Sequence, residues 1–396
     1  MSLLTDAADL HDDLVAFRRD LHREPEVGLD LPRTQEKILA ALDGLPIEVG
    51  TGTALSSVTG VLRGGGSGPP VLLRADMDAL PLSERSGVPY ASTVAGRMHA
   101  CGHDLHVAML IGAARLLAAR RAELAGDVVF MFQPGEEGHR GAAYMIDEGV
   151  LDAAGARPAA AYALHVASAQ LPSGWFATRS GPVLAGADVL EVTVRGVGGH
   201  ASQPYRAKDP VPAACEMVLA LQTFVTRAFD VFDPVVITVG SFHAGTKDNI
   251  IPAEARFEAS IRSFSEPSHA RVREGVVEVV RGIAAAHGLT AEAKFTMSYP
   301  VTVADATETE FAVGRVGELF GADRLVRMPN PVPMAEDFSF VLADVPGAFI
   351  FLGACPPDRD PATAPYNHSA EAAFDDDVLP SGAALLADLA LQRTAA

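Results

Sequence analysis

Two spacing patterns alternate along the first part of the chain. Residues 71–75, 128–132 and 162–166 are short and mainly apolar, which is typical of strands buried on both faces of a sheet. Residues 8–23 and 104–120 carry apolar side chains every three or four positions, which predicts helices. Because strands of this kind alternate with helices, the pattern predicts an α/β fold with a mostly parallel, mixed sheet flanked by helices.

The pattern changes near residue 185. Residues 188–194 and 254–262 alternate between apolar and polar positions, as strands do when one face is exposed to water, and helical spacing lies between and after them. This predicts an inserted α+β domain with an antiparallel sheet over residues 185–298. The segments 1–184 and 299–396 then form one catalytic domain, which the insertion interrupts.

Length and composition agree with a globular chain of two domains. The chain has 396 residues, more than one ordinary core accommodates, with 48% hydrophobic and 20% charged residues. Its formal net charge of -19 makes nucleic acid and anionic membranes poor partners. The N-terminus lacks the pattern of a secretory signal, no stretch of about twenty apolar residues appears, and the three cysteines are widely spaced. We therefore expect a cytoplasmic protein without a membrane span or a disulfide framework.

The densest chemistry lies in residues 98–106, which include three histidines, one cysteine and one aspartate. Cys101 and His103 stand at the start of the predicted helix 104–120. A helix N-terminus favours a thiolate and provides a rigid platform from which two side chains can reach one metal ion. The alternative is an ordinary helix start, with Asp104 or a neighbour as the cap and the histidines merely polar.

Glu136 and Glu137 follow the predicted strand 128–132 directly, after a short Gln-Pro-Gly turn. Loops at the carboxyl ends of parallel strands are where such sheets place their sites. Two adjacent glutamates there allow a division of work, in which one binds a metal ion and the other holds a water molecule and moves its proton. Taken alone, the pair is more often an ordinary acidic turn.

His165 and His368 complete a possible set of metal ligands, although each by itself is more often a structural histidine. With Cys101, His103 and Glu137 they offer one thiolate, three imidazoles and one carboxylate, about what two metal ions need when one ligand bridges them. The thiolate is the natural bridge. The mixed set suits zinc or manganese, with cobalt or nickel as alternatives. The sequence therefore predicts two divalent metal ions per chain.

Seven motifs spread over nearly the whole chain connect it to a known superfamily. They are FRRDLHREPE at 17–26, RADMDALP at 74–81, HACGHD at 99–104, QPGEE at 133–137, GGHAS at 198–202, NIIP at 249–252 and AEDF at 335–338. With these motifs the chain resembles the two-metal aminoacylase and carboxypeptidase superfamily of metallopeptidases. Within it, the chain is most similar to the amidohydrolase branch that includes hippurate hydrolase and the indole-acetyl-amino-acid hydrolases.

The resemblance implies a zinc-exopeptidase-like catalytic domain and a role for each candidate residue. The five candidate ligands bind two metal ions with Cys101 as the bridge, and Glu136 is the general base and later the acid toward the leaving amine. The wider superfamily has a histidine ligand in a His-x-Asp motif on the early strand, where this chain reads Asp-Met-Asp. The amidohydrolase branch shares this difference. Asp78 is then a residue that orients a ligand, and Asp104 is a second candidate for that task.

The inserted domain resembles the lid and dimerisation domain of the superfamily, which implies a homodimer or homotetramer. His200 is then a donor to the substrate carbonyl that stabilises the oxyanion, and in some relatives this residue comes from the partner subunit. Asn249 is implied as a contact to the substrate. Without the resemblance, His200 is more often an ordinary turn histidine.

The implied activity is that of a metal-dependent amidohydrolase. Its substrates are N-acyl amino acids, such as hippurate-like, N-acetyl or related conjugates, and the amide bond is cleaved by a metal-activated water with a glutamate general base. Two alternatives stay open: a dipeptidase or carboxypeptidase of the same superfamily, and a non-catalytic metal-binding sensor on this scaffold. A third is a hydrolase with Cys101 as nucleophile and His103 or His106 as its base, which would survive removal of metal.

Overall fold

The computed structural model describes residues 2–395, which fold into two compact units. The first comprises the chain up to Val183, Val303–Asn330 and the chain from Asp337 onward, and the second comprises Leu184–Thr302 and Pro331–Glu336. Pro331–Glu336 falls within the segment that the sequence pattern places in the catalytic domain, but it packs with the second unit. There the backbone N–H of Ala185 donates to the carbonyl oxygens of Val332 and Met334.

Both units contain helices and strands. The helices within residues 2–395 are α1 Leu3–Ala8, α2 His11–Arg23, α3 Pro32–Leu42, α4 His103–Ala119, α5 Glu136–His139, α6 Gly141–Asp147, α7 Pro210–Ala228, α8 Glu266–Ala286, α9 Ala306–Phe320, α10 Ser339–Asp344 and α11 Leu379–Thr394. The strands there are β1 Ile47–Thr51, β2 Val58–Leu62, β3 Gly68–Asp76, β4 Gly126–Gln133, β5 Ala160–Ala167, β6 Phe176–Thr178, β7 Gly181–Leu184, β8 Gly186–Arg195, β9 Gly199–His200, β10 Val236–Ala244, β11 Ile250–Ile251, β12 Glu254–Ser263, β13 Thr290–Tyr299, β14 Thr302–Ala304, β15 Leu325–Arg327 and β16 Gly347–Gly353. None of the helices in this part of the chain is long and apolar enough to cross a membrane.

The first unit is built on a large sheet with the strand order β1-β2-β4-β3-β5-β16-β6-β15 across the described residues. Neighbouring strands from β4 to β16 run parallel, whereas β1, β2 and the β16–β6 pair are antiparallel. The central strands are buried over almost their whole length, as strands are when both faces of a sheet are covered. The predicted mostly parallel, mixed sheet is therefore confirmed.

The helix α4 lies at the centre of this unit. Its residues are apolar on nearly every side, so it is buried along its length rather than half exposed. It packs against α2 and α11, and Gly112 permits the close approach to α11, because a Cβ there would lie 2.7 Å from that of Ala383. This packing determines where the first residue of α4, His103, stands. The helix predicted over residues 8–23 corresponds to α2, which begins three residues later, at His11, whereas Ala8 ends the preceding helix α1.

The second unit contains an antiparallel sheet in the order β10-β12-β8-β13, with α7 and α8 packed against it. Alternate residues of β12, including Phe257 and Ile261, are buried in a core shared with Met217 of α7 and Val272 of α8. The intervening residues of β12 are exposed, which explains the alternating sequence pattern. The predicted α+β unit with an antiparallel sheet is confirmed.

Candidate metal centre and active site

The five predicted ligands come together at the carboxyl ends of the parallel strands of the first unit. His165 lies near the end of β5, Glu137 follows β4, Cys101 and His103 stand at the start of α4, and His368 lies in the loop before α11. Their ligand atoms form two triads, each with all atoms within 4.8 Å of one another. One triad is Cys101, His103 and His165, and the other is Cys101, Glu137 and His368. The sulfur of Cys101 is thus common to both.

Backbone carbonyls orient the two imidazoles of the first triad. His103 Nδ1 donates to the carbonyl oxygen of Asp78 at 2.8 Å, and His165 Nδ1 donates to that of Val166 at 2.9 Å. Because a carbonyl oxygen only accepts, Nδ1 carries the proton in both rings, and Nε2 of a neutral ring keeps its lone pair. The Nε2 atom of His165 lies 3.4 Å from Cys101 Sγ. Metal-binding histidines are held in their tautomer by hydrogen bonds of this kind.

The chemistry of this cluster fits divalent metal ions. His103 is fully buried, yet its Nε2 makes no hydrogen bond within residues 2–395 and lies 3.3 Å from Asp76 Oδ2 without hydrogen-bond geometry. An unsatisfied buried nitrogen is unfavourable, and coordination to a metal ion would satisfy it. Thiolate sulfur, imidazole nitrogen and carboxylate oxygen together form a donor set that suits zinc and similar divalent ions. The residues present therefore fit two metal ions that share Cys101.

In the metal-free protein, the candidate ligands shift one another's pKa values through their charges and hydrogen bonds. Burial lowers the pKa of His103, but the Asp76 carboxylate and the Cys101 sulfur outweigh it and hold that pKa well above its usual value. Hydrogen bonds to Cys101 and Glu137 raise the pKa of His368 to about 10. Burial raises the pKa of Glu137, but the hydrogen bond from His368 and the charge on His103 keep it below its usual range. Metal binding must therefore displace protons from these imidazoles.

Glu136 and Glu137 are held by a single carboxylate. Asp78 Oδ1 accepts the backbone N–H of Glu136 and Oδ2 accepts that of Glu137, each at 3.0 Å. Gly135, at φ 70°, lets the chain turn sharply from β4 into this pair. The Glu136 side chain is buried, and one of its carboxylate oxygens lies within 4.8 Å of ligand atoms of His103 and Glu137. A carboxylate at this position can exchange a proton with a group held by the ligand cluster.

The start of α4 is not capped by a side chain. Its N-cap is Gly102, at φ 87°, where a Cβ would lie 2.4 Å from Val166 Cγ2. Asp104 instead lies 2.7 Å from both Arg18 Nε and His22 Nδ1. The interpretation of this segment as an ordinary helix cap is therefore wrong. Asp104 connects the first turn of α4, which carries a predicted ligand, to the buried face of α2.

A third cluster, formed by Asp76, His103 and His106, has a different role. His106 Nε2 accepts the backbone N–H of Val166 at 2.8 Å, and its Nδ1 donates to Asp76 Oδ1 at 2.5 Å. Both ring nitrogens are occupied, so His106 has no lone pair for a metal ion or for a base beside a cysteine nucleophile. Spacing alone does not separate His106 from His103, because residues three apart share one helix face. The one sequence signal for the contact between His106 and Asp76 is Asp76 itself. It stands at the end of β3, where the wider superfamily has a histidine ligand.

His200 and Asn249 lie together in the second unit. His200 ends β9, which pairs with β11, and the backbone N–H of Ala201 donates to the carbonyl oxygen of Asn249 at 3.2 Å. The backbone N–H of Ser202 donates to His200 Nδ1 at 3.2 Å, so a neutral ring carries its proton on Nε2. Both His200 and Asn249 are exposed within this unit. In a neutral His200 ring, Nε2 is therefore the donor nitrogen.

A mostly parallel sheet that carries such a ligand cluster and a buried glutamate at its carboxyl edge defines a metal-dependent hydrolase. The chain belongs to the peptidase family M20/M25/M40, whose sequence model matches residues 72–392. The predicted superfamily and the predicted class of enzyme are thereby confirmed.

Three similar proteins illustrate the range of the family. Thermostable carboxypeptidase 2 of Saccharolobus solfataricus is 38% identical over 394 residues, which cover 98% of each chain. An IAA-amino acid hydrolase of Arabidopsis thaliana, ILR1-like 4, is 36% identical and covers 96% of this chain and 86% of its own. The crystal structure of the Bacillus subtilis YXEP protein, described as a dinuclear metal binding peptidase, has a TM-score of 0.84 at 32% identity and covers 97% of this chain and 98% of its own. This structural neighbour supports a centre for two divalent metal ions.

Proposed function

We propose that this chain hydrolyses the amide bond of N-acyl amino acids. The two triads would hold two divalent metal ions, with the Cys101 sulfur as a ligand common to both. The observation that carries the proposal is the pair of triads that share one sulfur, with the buried Glu136 carboxylate beside them. A purely structural metal site uses closed coordination and has no need of a second glutamate, whereas a hydrolytic site needs an open position and a base.

The residues of the chain divide the reaction between them. When bound, the metal ions polarise the amide carbonyl and lower the pKa of a water molecule to about 7. Glu136 takes the proton of the attacking water and later delivers it to the leaving nitrogen. The Asp78 carboxylate accepts hydrogen bonds from the backbone N–H groups of Glu136 and Glu137, so the turn that carries the base and its neighbouring ligand is held in place.

The second unit has the role of a lid and dimerisation domain in this proposal, within a homodimer or homotetramer. His200 donates from Nε2 to the substrate carbonyl and stabilises the oxyanion, and Asn249 contacts the substrate. The Ser202 N–H at His200 Nδ1 supports the donor role, because it leaves the ring proton on the other nitrogen.

The proposed substrate class and the proposed identity of the metal ions are supported by different observations. The Arabidopsis relative is named for hydrolysis of an amino acid conjugate, which favours an N-acyl amino acid here. The Saccharolobus relative is named a carboxypeptidase, which favours the alternative in which the acyl group is itself an amino acid or a peptide. Zinc or manganese is the proposed ion, with cobalt or nickel as further candidates, because the donor set mixes sulfur, nitrogen and oxygen.

A substrate panel with metal analysis tests the proposal. Hippurate, N-acetyl and indole-acetyl amino acids and dipeptides are assayed with one protein sample, whose metal content is measured with and without EDTA. We expect turnover that tracks two ions per chain, is lost with EDTA and returns with zinc or manganese. Turnover that survives EDTA would support the cysteine nucleophile instead. Full metal occupancy without turnover on any amide would support the non-catalytic sensor, and a clear preference for dipeptides would support the carboxypeptidase.

A further inference from the structure

One amide side chain ties together the segments that carry the proposed ligands. Asn367 precedes His368 and contacts both the Cys101 turn and the end of β5. Its Nδ2 donates to the carbonyl oxygens of Cys101 and Val166, each at 3.0 Å. Its Oδ1 accepts from the backbone N–H of Ser168 at 2.9 Å, and it lies 3.1 Å from the Ser168 hydroxyl, whose single hydrogen is shared with the carbonyl oxygen of Pro365 at 2.9 Å. Three loops that are distant in sequence therefore meet on this one side chain.

These contacts determine the orientation of the Asn367 amide. A carbonyl oxygen only accepts and a backbone N–H only donates, so exchange of Oδ1 and Nδ2 would set acceptor against acceptor and donor against donor. Both amide hydrogens are in use, and the oxygen accepts from the Ser168 backbone N–H. No other side chain of this length offers two donors and two acceptors in this arrangement.

The backbone beside Asn367 is also held against the Cys101 turn. The N–H of His368 donates to the carbonyl oxygen of Ala100 at 2.9 Å, and His368 has φ 70°, in the left-handed region that residues other than glycine rarely adopt. Such conformations persist only where the surroundings enforce them, and they concentrate at functional sites. The bonds of Asn367 and of the His368 N–H hold the backbone here, and His368 Nε2 lies 2.9 Å from Glu137 Oε1.

Asn367 also faces the shared sulfur. Its Nδ2 lies 3.9 Å from Cys101 Sγ. Since the two amide hydrogens already serve carbonyl oxygens, this contact is electrostatic rather than a full hydrogen bond. The positive end of the amide dipole faces the sulfur and favours its negative charge.

We propose that Asn367 is a positioning residue of the metal centre, which sets the separation of the ligands of both triads and stabilises the bridging thiolate. This inference rests on the proposed function. Asn367 is not a ligand, because its oxygen is occupied by Ser168. Cys101 belongs to both triads, His165 only to the first and His368 only to the second. Loss of the Asn367 bonds therefore weakens the binding of both metal ions and not of one alone.

The experiment compares Asn367→Asp with Asn330→Asp in the full chain. Both variants replace an NH2 group by a charged oxygen, but Asn330 is exposed. Asn367→Asp keeps the shape of the side chain, cannot donate, and sets a carboxylate against the carbonyl oxygens of Cys101 and Val166. Co²⁺ affinity is measured by competition with a chelator, and the sulfur-to-cobalt charge-transfer band is recorded on the same samples.

We expect Asn367→Asp to bind both Co²⁺ ions roughly 10–100-fold more weakly, the range typical for loss of a group that supports metal ligands. Its charge-transfer band should move to lower energy, because a sulfur without the amide dipole gives up electron density more readily. Asn330→Asp should match the unmodified chain in both measurements. If the aspartate variant does not fold, Asn367→Ala, which adds no charge, takes its place in the same test. Its charge-transfer band should shift in the same direction.

Three outcomes separate this inference from the proposed function. Unchanged Co²⁺ affinity and an unchanged band in both Asn367 variants would overturn the positioning role, even with reduced thermal stability. Weaker binding of one ion only would also contradict it, since the shared sulfur belongs to both triads. An unmodified chain that binds no Co²⁺ would instead refute the proposed metal centre itself.

Discussion

Asp78 Oδ1 accepts the backbone N–H of Glu136 at 3.0 Å. The other carboxylate oxygen accepts the N–H of Glu137, and the backbone carbonyl of Asp78 accepts a hydrogen bond from His103 Nδ1 at 2.8 Å. One residue, two positions after β3, thus holds the proposed base and two proposed ligands through three hydrogen bonds. Family resemblance implies only that Asp78 orients a ligand. The contacts define how it does so, chiefly through the backbone of the neighbouring turn.

Replacement of Asp78 by asparagine should lower metal affinity and kcat/KM together, by roughly 10–100-fold. The carboxamide keeps one acceptor oxygen, but its NH2 group cannot accept the second backbone N–H, so one of the two glutamates loses its support. Asp127→Asn is the matched control, because Asp127 accepts the backbone N–H of Gly64 at the other end of β4. Kinetics and metal analysis of both variants check the prediction, which fails if the two behave alike.

Glu136→Gln should reduce kcat by roughly 10²–10⁴-fold and leave the metal content as in the unmodified chain. The amide keeps the size of the side chain but cannot take a proton from water. Glu137→Gln, one residue further along, should instead lose metal, because it removes a ligand. Metal content and single-turnover rates distinguish the two variants. Loss of metal from Glu136→Gln would make Glu136 a ligand and refute its role as the base.

His200→Ala should lower kcat by roughly 10²–10³-fold without a change in metal content. That magnitude is typical for loss of one donor to an oxyanion, and His200 is not part of either ligand triad. His287→Ala is a suitable control, since His287 is a surface histidine of the same unit that pairs with Glu216. Full activity in His200→Ala would mean that His200 is an ordinary turn histidine without a role in the reaction.

A buried charged network joins α2 to the loop after β3 and to the start of α4. Glu84 contacts His22 Nε2 at 3.2 Å and accepts the backbone N–H of Ser92 at 2.6 Å, while His22 Nδ1 lies 2.7 Å from Asp104. Burial raises the pKa of Glu84, but the bonds from His22, Ser86 and Ser92 outweigh it and lower this pKa to about 2. Burial lowers the pKa of His22, but the Asp104 carboxylate outweighs it and raises that pKa above its usual value.

The free energy of unfolding of the metal-free chain should therefore fall on acidification from about pH 5 to pH 2. Because the pKa of Glu84 is lower in the folded chain than its usual value of 4.5, its stabilising effect is present above pH 4.5 and is lost as the pH falls to about 2. The effect of His22 has the opposite sign: it is present below pH 6.5 and is lost as the pH rises through the raised pKa. Urea unfolding of EDTA-treated protein at several pH values measures both trends.

Glu84→Gln should flatten the acid part of this pH dependence, whereas Glu36→Gln, at an exposed position of α3, should leave it as it is. The glutamine cannot ionise, so the difference in proton binding between the folded and unfolded chains disappears at that position. Parallel curves for Glu84→Gln and the unmodified chain would show that Glu84 has the same pKa in both states.

Much of the architecture could be predicted from periodicity. Residues 162–166 are recognisable because a strand covered on both faces is mainly apolar, and β5 extends this run by only a few residues. The alternation of apolar and polar residues in β12 is equally easy to recognise in the sequence, because one face of this strand packs on helices. The start of α2 at His11 could not be located from the apolar spacing, because Leu10 fits the same spacing as Leu14 although it lies before the helix.

The sequence by itself determined the chemical inventory: a thiolate and an imidazole at one helix start, two glutamates after a strand and two further histidines. Residue types and spacing could not say which histidines share a centre, although the family resemblance implied His103, His165 and His368. His103 and His106 lie on the same face of α4, but the backbone of Val166 and the Asp76 carboxylate occupy both nitrogens of His106, while His103 Nε2 is left beside Cys101 and His165. Only the tertiary structure decided this, because a ligand is defined by where its lone pair points, and that depends on hydrogen bonds between residues far apart in the chain.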